Sequence, residues 1–194
     1  MKKILLGLAL VAGTFTFAQK TSTSTASSSP VRFGVKAGLN VSTVSNSELN
    51  SKAGFYGGVF ANIPVAQDFS VQPEVLYSGM GGKAKSNSSA KLNMDYIAVP
   101  VMLQYNLIPN LYVEAGPQFG FLISAKAKNN SASADVKDNL KTFDFGIGLG
   151  AGYYFTQNIG VNLRYTAGLS DVPKHNNGDA ARNGVFQVGL AYKF

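Results

Sequence analysis

The sequence predicts an all-β protein, an eight-stranded antiparallel up-and-down transmembrane β-barrel, and three observations carry this prediction. Apolar and polar residues alternate with a period of two through eight separate runs, which is the pattern of strands with one apolar face. The connections between these runs alternate between short and long. Aromatic residues stand at both ends of the apolar faces, as they do in the two interfacial belts of membrane barrels.

The composition excludes several kinds of functional site. Charged residues make up only 14% of the chain, against about 25% in typical soluble domains. There is no cysteine and a single histidine, His175. Disulfides, thiolate nucleophiles, iron–sulfur clusters and zinc knuckles are therefore excluded, and we expect no cofactor and no metal.

Residues 1–18 are predicted to be a secretory signal peptide. Lys2 and Lys3 form a basic start, an apolar run follows, and the small residues Thr16 and Ala18 suit signal-peptidase cleavage. The apolar run is shorter than the roughly 20 residues that a transmembrane helix needs. A buried N-terminal helix is the alternative interpretation.

Residues 19–30 are a predicted flexible linker rich in serine and threonine, and residues 31–194 form the predicted barrel. In its first run Phe33 and Val35 share an apolar face, whereas Gly34 shares the other face with polar neighbours. The apolar faces of the eight predicted strands cover residues 33–41, 55–63, 69–77, 97–105, 111–123, 143–155, 159–169 and 186–194.

The lengths of the predicted connections indicate how the barrel is oriented. Outer-membrane barrels have short periplasmic turns and longer extracellular loops, so we expect a bacterial outer-membrane protein with both termini in the periplasm. The predicted short turns are 66–68, 106–110 and 156–158, and the predicted long polar loops are 42–52, 80–91, 126–141 and 170–183.

Two barrels fit eight alternating strands, because a soluble lipocalin-like barrel turns its apolar face inward and a membrane barrel turns it outward. Aromatic residues at both ends of the apolar band favour the membrane barrel. We expect one ring at the short-turn end, made of Phe33, Phe69, Tyr105, Phe155 and Phe194, and one at the long-loop end, made of Phe55, Tyr77, Phe121, Phe143 and Phe186.

The other face of the strands is rich in glycine, which suits a narrow lumen where side chains interdigitate. The clearest case is residues 146–152, where glycine alternates with apolar residues. A nucleotide-binding loop also contains closely spaced glycines, but it needs a following helix. No helical period follows residue 152, so we interpret these glycines as lumen-lining.

The chain ends on a pattern that resembles the C-terminal signal read by the barrel-assembly machinery. That signal consists of a polar residue, a glycine and two aromatic residues at fixed spacing, and the matching positions here are Gln187, Gly189, Tyr192 and Phe194. We therefore expect the assembly machinery to be a partner during insertion.

Three prolines, Pro73, Pro100 and Pro117, lie inside predicted strands. Proline removes a ladder donor, and a closed barrel has no edge strand to receive it. We retain the strands because the alternation continues through all three prolines. Each one is expected either to lie at a bulge or to forgo a hydrogen bond.

A family resemblance rests on four segments, 34–40 (GVKAGLN), 72–77 (QPEVLY), 99–103 (VPVML) and 113–117 (VEAGP). Together they resemble the porin-T-like outer-membrane β-barrel family of Bacteroidetes, over residues 31–194. The resemblance implies an eight-stranded outer-membrane barrel. It implies no shared activity, because most members have no known function and a few relatives serve a secretion apparatus, and it supplies no catalytic motif.

Charged residues on the lumen face are the most informative cluster. Lys36, Glu74, Glu114 and Arg164 lie at a similar distance from the short-turn end, so they share one level and are expected to pair. Glu114 has either Lys36 or Arg164 as its partner. The network either closes the lumen or selects ions in a pore, and the narrow interior of eight strands favours closure. The full predicted network is Arg32, Lys36, Glu74, Glu114, Asp144, Arg164 and Lys193.

The leading functional prediction is a non-enzymatic, monomeric structural or interaction barrel whose long loops form the binding surface. A narrow channel is the first alternative. A lipid-modifying enzyme at the rim, using His175 near Asp171 and Asp179, is the second. The expected partners are outer-membrane lipid and the phosphates of lipopolysaccharide, with no nucleic acid. The lysines expected to face lipopolysaccharide are Lys83, Lys85, Lys91, Lys126, Lys128, Lys137, Lys141 and Lys174.

Overall fold

The computed structural model describes residues 30–45, 49–84, 91–129, 132–171 and 181–194. The predicted signal peptide and all but the last residue of the predicted linker lie outside these residues. Within them no helix is long and apolar enough to cross a membrane. The strands of the described residues are β1 (Arg32–Val44), β2 (Leu49–Asn50), β3 (Lys52–Pro64), β4 (Phe69–Ala84), β5 (Lys91–Ile108), β6 (Leu111–Asn129), β7 (Ala132–Asp135), β8 (Phe143–Tyr154), β9 (Ile159–Asp171) and β10 (Arg182–Lys193), and a 3₁₀ turn lies at Lys137–Asn139.

Eight long strands form a closed antiparallel barrel, which confirms the predicted fold class. Each of β1, β3, β4, β5, β6, β8 and β9 pairs with the next long strand, and β10 pairs with β1 to complete the circle. The two short strands are additions to this wall. Strand β2 pairs with the end of β4, and β7 folds back on the end of β6.

The predicted loops 80–91 and 126–141 were wrong in extent, because the strands continue into them. Pairing of β4 with β5 extends to Lys83 opposite Lys91, and β6 continues to Asn129 before β7 pairs with it. Met80 and Met94 point inward here and are buried, so the alternation persists. Lys83, Lys126 and Lys128, which are among the polar residues that suggested a loop, lie exposed on the outward face of these extensions. Likewise, the predicted loop 42–52 contains the end of β1 and all of β2.

The apolar faces of the strands point outward, which decides between the two possible barrels. Leu39, Leu149 and Leu190 each expose 60% or more of their surface, whereas the inward Tyr56 and Arg164 expose 2% or less. A soluble barrel would bury the apolar face around a ligand. An exposed apolar band around the whole wall is instead the surface that lipid covers.

Aromatic side chains border this band at both ends. At the short-turn end the rings of Phe69 and Tyr105 lie 4.8 Å apart between centroids. At the long-loop end Phe55 lies 5.5 Å from Tyr77. Such paired rings suit the two interfaces of a bilayer, where one side of the ring meets hydrocarbon and the other meets water.

The three prolines interrupt pairing without shifting the register. Pairing of β3 with β4 skips two residue pairs at Pro73, pairing of β4 with β5 skips two at Pro100, and pairing of β5 with β6 skips two at Pro117. Of the two expected outcomes, these prolines therefore forgo bonds and do not form bulges. Each interruption faces the preceding long strand, so the three lie on a diagonal across one half of the wall.

Candidate functional site

Four charged side chains meet inside the barrel, and each comes from a different strand. Lys36 lies on β1, Glu74 on β4, Glu114 on β6 and Arg164 on β9. Strand alternation points all four inward, and each exposes 3% or less of its surface. We call these four residues the charge layer.

Arg164 is the centre of the charge layer. Its Nη1 and Nη2 donate to Oε2 and Oε1 of Glu74 at 2.9 and 2.8 Å. Its Nε donates to Oε1 of Glu114 at 2.7 Å. Lys36 Nζ donates to Oε1 of Glu74 at 2.7 Å. The layer therefore holds two positive and two negative charges in direct contact, and it is neutral as a unit.

Side-chain amides complete the hydrogen bonding of both carboxylates. Gln72 Nε2 donates to Oε1 of Glu74 at 2.9 Å, and Gln104 Nε2 donates to Oε2 of Glu114 at 2.9 Å. Asn62 Nδ2 in turn donates to Oε1 of Gln104 at 2.9 Å. A buried ion cluster stabilises a fold only where the remaining lone pairs are satisfied, and these amides satisfy them.

Gly150 creates the space in which Arg164 and Glu114 meet. It lies on β8, directly opposite Glu114 on one side and Arg164 on the other. A Cβ atom at this position would lie 2.9 Å from Oε1 of Glu114 and 2.6 Å from the carbonyl oxygen of Leu163. The glycine-rich face of β8 therefore lines the lumen, and here it accommodates the charge layer.

The lumen differs in character on the two sides of the charge layer. Toward the short turns lies a polar cavity of about 390 Å³, lined by residues that include Gln104, Tyr112 and Lys193. Toward the long loops an apolar cluster packs in the interior beside the polar pair Asp144 and Asn183. Its buried members are Val44, Met80, Met94, Tyr96, Leu122, Ala125, Ala181 and Val185.

The other three charges of the predicted network do not join the charge layer. Arg32 lies at the short-turn rim, where it donates to the carbonyl oxygens of Gln157 and Phe194. Lys193 places its Nζ 3.9 Å from the ring centroid of Tyr154. Asp144 lies on the long-loop side and accepts a 2.7 Å hydrogen bond from Asn183. Predicting a single network from seven residues was therefore wrong in extent, because these three lie at other levels of the barrel.

The residues of the predicted assembly signal occupy both faces of β10. Gln187 is buried in the lumen opposite Arg164 and Asn40. Tyr192 and Phe194 point outward with their ring centroids 5.4 Å apart. Gly189 is packed against β1, since a Cβ there would lie 2.5 Å from the carbonyl oxygen of Ala37.

Comparison with known proteins gives the family directly. A family model described as the outer membrane protein beta-barrel domain matches residues 17–173. The chain belongs to this family. It is therefore a transmembrane protein of the outer membrane. No curated protein matches the chain.

Two solved structures resemble this outer-membrane barrel. Neisserial surface protein A is 17% identical, with a TM-score of 0.56 over 86% of this chain and 98% of that one. Ail, the attachment invasion locus protein of Yersinia pestis, is 14% identical, with a TM-score of 0.51 over 84% of this chain and 97% of that one. At such identities the likeness concerns the fold alone.

Several lumen residues of this outer-membrane barrel escaped sequence reasoning. Gln72 and Gln104 hold the carboxylates, yet neutral amides on a polar face carry no distinguishing pattern. Met80 and Met94 belong to the apolar cluster, but Met80 lies in the predicted loop 80–91 and Met94 lies between that loop and the next predicted apolar face, 97–105. Their inward alternation with the buried Tyr96 was the available signal.

Residues proposed for a rim enzyme lie largely beyond the described structure. His175 and Asp179 fall outside the described residues, and so does the side chain of Asp171. Among the residues that are described, no group of three or more His, Cys, Asp and Glu side chains could hold a metal ion.

Proposed function

We propose that this outer-membrane barrel is a non-enzymatic structural or interaction protein whose lumen is closed by its own side chains. The observation that carries the proposal is the charge layer. Its four members expose 3% or less of their surface and neutralise one another through contacts of 2.7 to 2.9 Å. A conducting path needs water beside its charges, whereas these charges are bonded to one another across the lumen.

The apolar cluster supports closure independently of the charge layer. Met94 and Ala125 expose none of their surface, and Tyr96 and Leu122 expose 1%. An ion that entered from the long-loop end would have to pass between this cluster and the Asp144–Asn183 pair, where the cavity has a volume of only about 10 Å³, before it reached the charge layer. Dehydrating an ion in an apolar constriction is costly. The cavity of about 390 Å³ at the short-turn end is then a vestibule with no continuation.

Planar-bilayer recording tests the closed lumen. Purified wild-type protein should give no steady single-channel current under conditions where a general porin conducts. Glu74→Gln should likewise give none, because the apolar cluster remains. A stable, ion-selective wild-type conductance that changes in Glu74→Gln would overturn the proposal and establish the channel alternative.

We also infer that the chain belongs to the porin-T-like barrels of Bacteroidetes. Three of the four motif segments supply members of the charge layer: residues 34–40 carry Lys36, residues 72–77 carry Glu74 and residues 113–117 carry Glu114. Three segments carry the prolines that interrupt strand pairing. In this proposal the motif set specifies the lumen and its wall and encodes no activity.

The proposed orientation directs the long-loop end outward from the cell, with both termini in the periplasm and a monomeric barrel. Strands β5 and β6 have 18 and 19 residues, whereas about 9–11 residues of a tilted strand cross a bilayer. The surplus projects beyond the aromatic ring at the long-loop end. This projecting rim and its loops form the surface that we propose for interaction.

A further inference from the structure

A row of three lysines crosses the projecting rim in register. Lys83 on β4 lies directly opposite Lys91 on β5, and Lys91 lies directly opposite Lys128 on β6. All three are exposed. They lie on the outward face, because Gly82, Leu92 and Ala127 alternate with them toward the interior. We call these three residues the lysine row.

Strand pairing alone disfavours the lysine row. Side chains directly opposite each other in adjacent antiparallel strands have Cβ atoms about 5 Å apart, and like charges there are destabilising. None of the three forms an ion pair with the part of the chain that the structure describes. Asp135 pairs with Lys126 in the strand register, and its carboxylate accepts a hydrogen bond from the backbone N–H of Lys137 at 2.9 Å. Asp95 accepts a hydrogen bond from Tyr77 at 2.9 Å. The row therefore carries uncompensated positive charge.

The height of the lysine row restricts which anion it meets. Lys83 lies six residues beyond Tyr77 of the outer aromatic ring. At about 3.3 Å per residue and a strand tilt of about 40°, the row stands roughly 15 Å beyond that ring. The polar layer of an ordinary phospholipid leaflet is only about 5–8 Å deep. Phospholipid headgroups therefore end below the row, whereas a phosphorylated saccharide continues to its height.

Further lysines connect the row with the membrane surface. Lys52 and Lys126 lie lower on the rim and line an open concavity of about 360 Å³ together with Asp95 and Phe55. Lys52 is held there, because its Nζ donates to the carbonyl oxygen of Met80 at 2.9 Å. Positive charge thus rises from the aromatic ring to the lysine row along one side of the barrel.

We propose that the lysine row and the concavity below it bind the phosphorylated saccharide of lipopolysaccharide in the outer leaflet. Phosphate supplies the negative charge that the three opposed ammonium groups lack, and a glycolipid presents it at the required height. Bound lipopolysaccharide would brace β4, β5 and β6 where they leave the membrane. The inference rests on the proposed outward orientation of the long loops, but lipopolysaccharide binding in vitro does not depend on that orientation or on a closed lumen.

The test compares two triple variants of the full protein in detergent. Lys83→Gln/Lys91→Gln/Lys128→Gln removes the row. Lys137→Gln/Lys141→Gln/Arg182→Gln is a charge-matched control at the same end of the barrel, because these residues lie outside the row. Binding is measured by titration with purified smooth lipopolysaccharide, with its dephosphorylated form, with phosphatidylglycerol and with soluble tripolyphosphate. Unfolding is measured with and without each lipid.

The row variant should bind lipopolysaccharide on the order of 100-fold more weakly than wild type, since each lysine near an anionic surface contributes about a factor of five. Without lipid its resistance to unfolding should equal or exceed that of wild type, because the like-charge opposition is gone. The control should bind as wild type does. Dephosphorylated lipopolysaccharide and phosphatidylglycerol should bind wild type weakly.

Three results would overturn the inference. One is wild-type affinity for lipopolysaccharide in the row variant. Another is equal loss of affinity in both variants, which would indicate attraction by net charge alone. The third is equal wild-type affinity for soluble tripolyphosphate and for lipopolysaccharide, which would indicate a site for free polyanions. None of these results would bear on the closed lumen, which the conductance measurement tests separately.

Discussion

At the scale of single residues, Arg164 determines how the lumen charges are arranged. Its guanidinium meets Glu74 through two parallel hydrogen bonds and Glu114 through Nε. The planar fork of arginine suits such two-carboxylate recognition, and a lysine at this position would not reproduce it. Glu74 neutralises more of the positive charge than Glu114 does, because it contacts both Arg164 and Lys36.

Removing a carboxylate from the charge layer should destabilise the barrel strongly. Glu74→Gln leaves Arg164 and Lys36 with one negative charge between them, so we expect a loss of about 3–5 kcal/mol in the free energy of unfolding. Glu114→Gln should cost less, because Arg164 retains its paired bonds to Glu74. Urea unfolding in lipid vesicles measures both, with the exposed Asp138→Asn as the control. Equal values for all three variants would contradict the arrangement.

A methyl group at Gly150 should disrupt the same layer by crowding. Gly150→Ala places a Cβ 2.9 Å from Oε1 of Glu114, and we expect it to cost about 1–3 kcal/mol. The matched control is Gly57→Ala on the lipid face of β3, where the nearest heavy atom would lie at 3.5 Å. Unfolding in vesicles should separate the two variants. If Gly57→Ala costs as much as Gly150→Ala, the effect comes from the strand backbone and not from the lumen.

At the scale of elements, each strand presents one face to lipid and one to the lumen. In β9 this alternation makes Leu163 49% exposed beside Arg164, which is 1% exposed. A shift of one residue in register would exchange these two environments. The strand is therefore held in place both by its apolar residues outside and by its charge inside.

Arginine substitution on the lipid face tests that assignment. Leu163→Arg should cost about 2–4 kcal/mol, because it places a charge near the middle of the hydrocarbon. Ser133→Arg on the exposed strand β7 should change stability little. Reversible unfolding in vesicles compares the two. Equal costs would show that Leu163 does not face lipid.

The strands crossing the membrane were predictable, and the extensions beyond it were not. Outward leucines such as Leu149 and Leu163 follow the period of two, because the hydrocarbon of the bilayer disfavours polar side chains on that face. Beyond the aromatic ring, water covers the outer face of the strands. Polar residues such as Lys83 on β4 and Lys91 on β5 are therefore allowed there, and the sequence of these extensions is as polar as that of a loop.

The partner of Glu114 was also undetermined by the sequence. The stagger between strands decides whether Lys36 or Arg164 reaches it, and an alternation pattern contains no information about stagger.

At the scale of the whole molecule, the absence of cysteine makes the proposed orientation testable. Single cysteines can be introduced at Ser133, on the projecting rim, and at Gln67, in a short turn, and no native cysteine reacts with the label. A membrane-impermeant maleimide applied to intact cells should label the first and spare the second. Both sites should react after the outer membrane is permeabilised. Labelling of only the Gln67→Cys variant in intact cells would indicate the opposite orientation.

The diagonal of interrupted pairing has a mechanical consequence. The seam where the first and last strands meet is continuous from Gly34 opposite Lys193 to Val44 opposite Asn183. The gaps at Pro73, Pro100 and Pro117 lie instead on three successive seams from β3 to β6. When the barrel is unfolded by force or by heat, we expect the strands to separate first along this diagonal, whereas the pairing of β1 with β10 should persist longer.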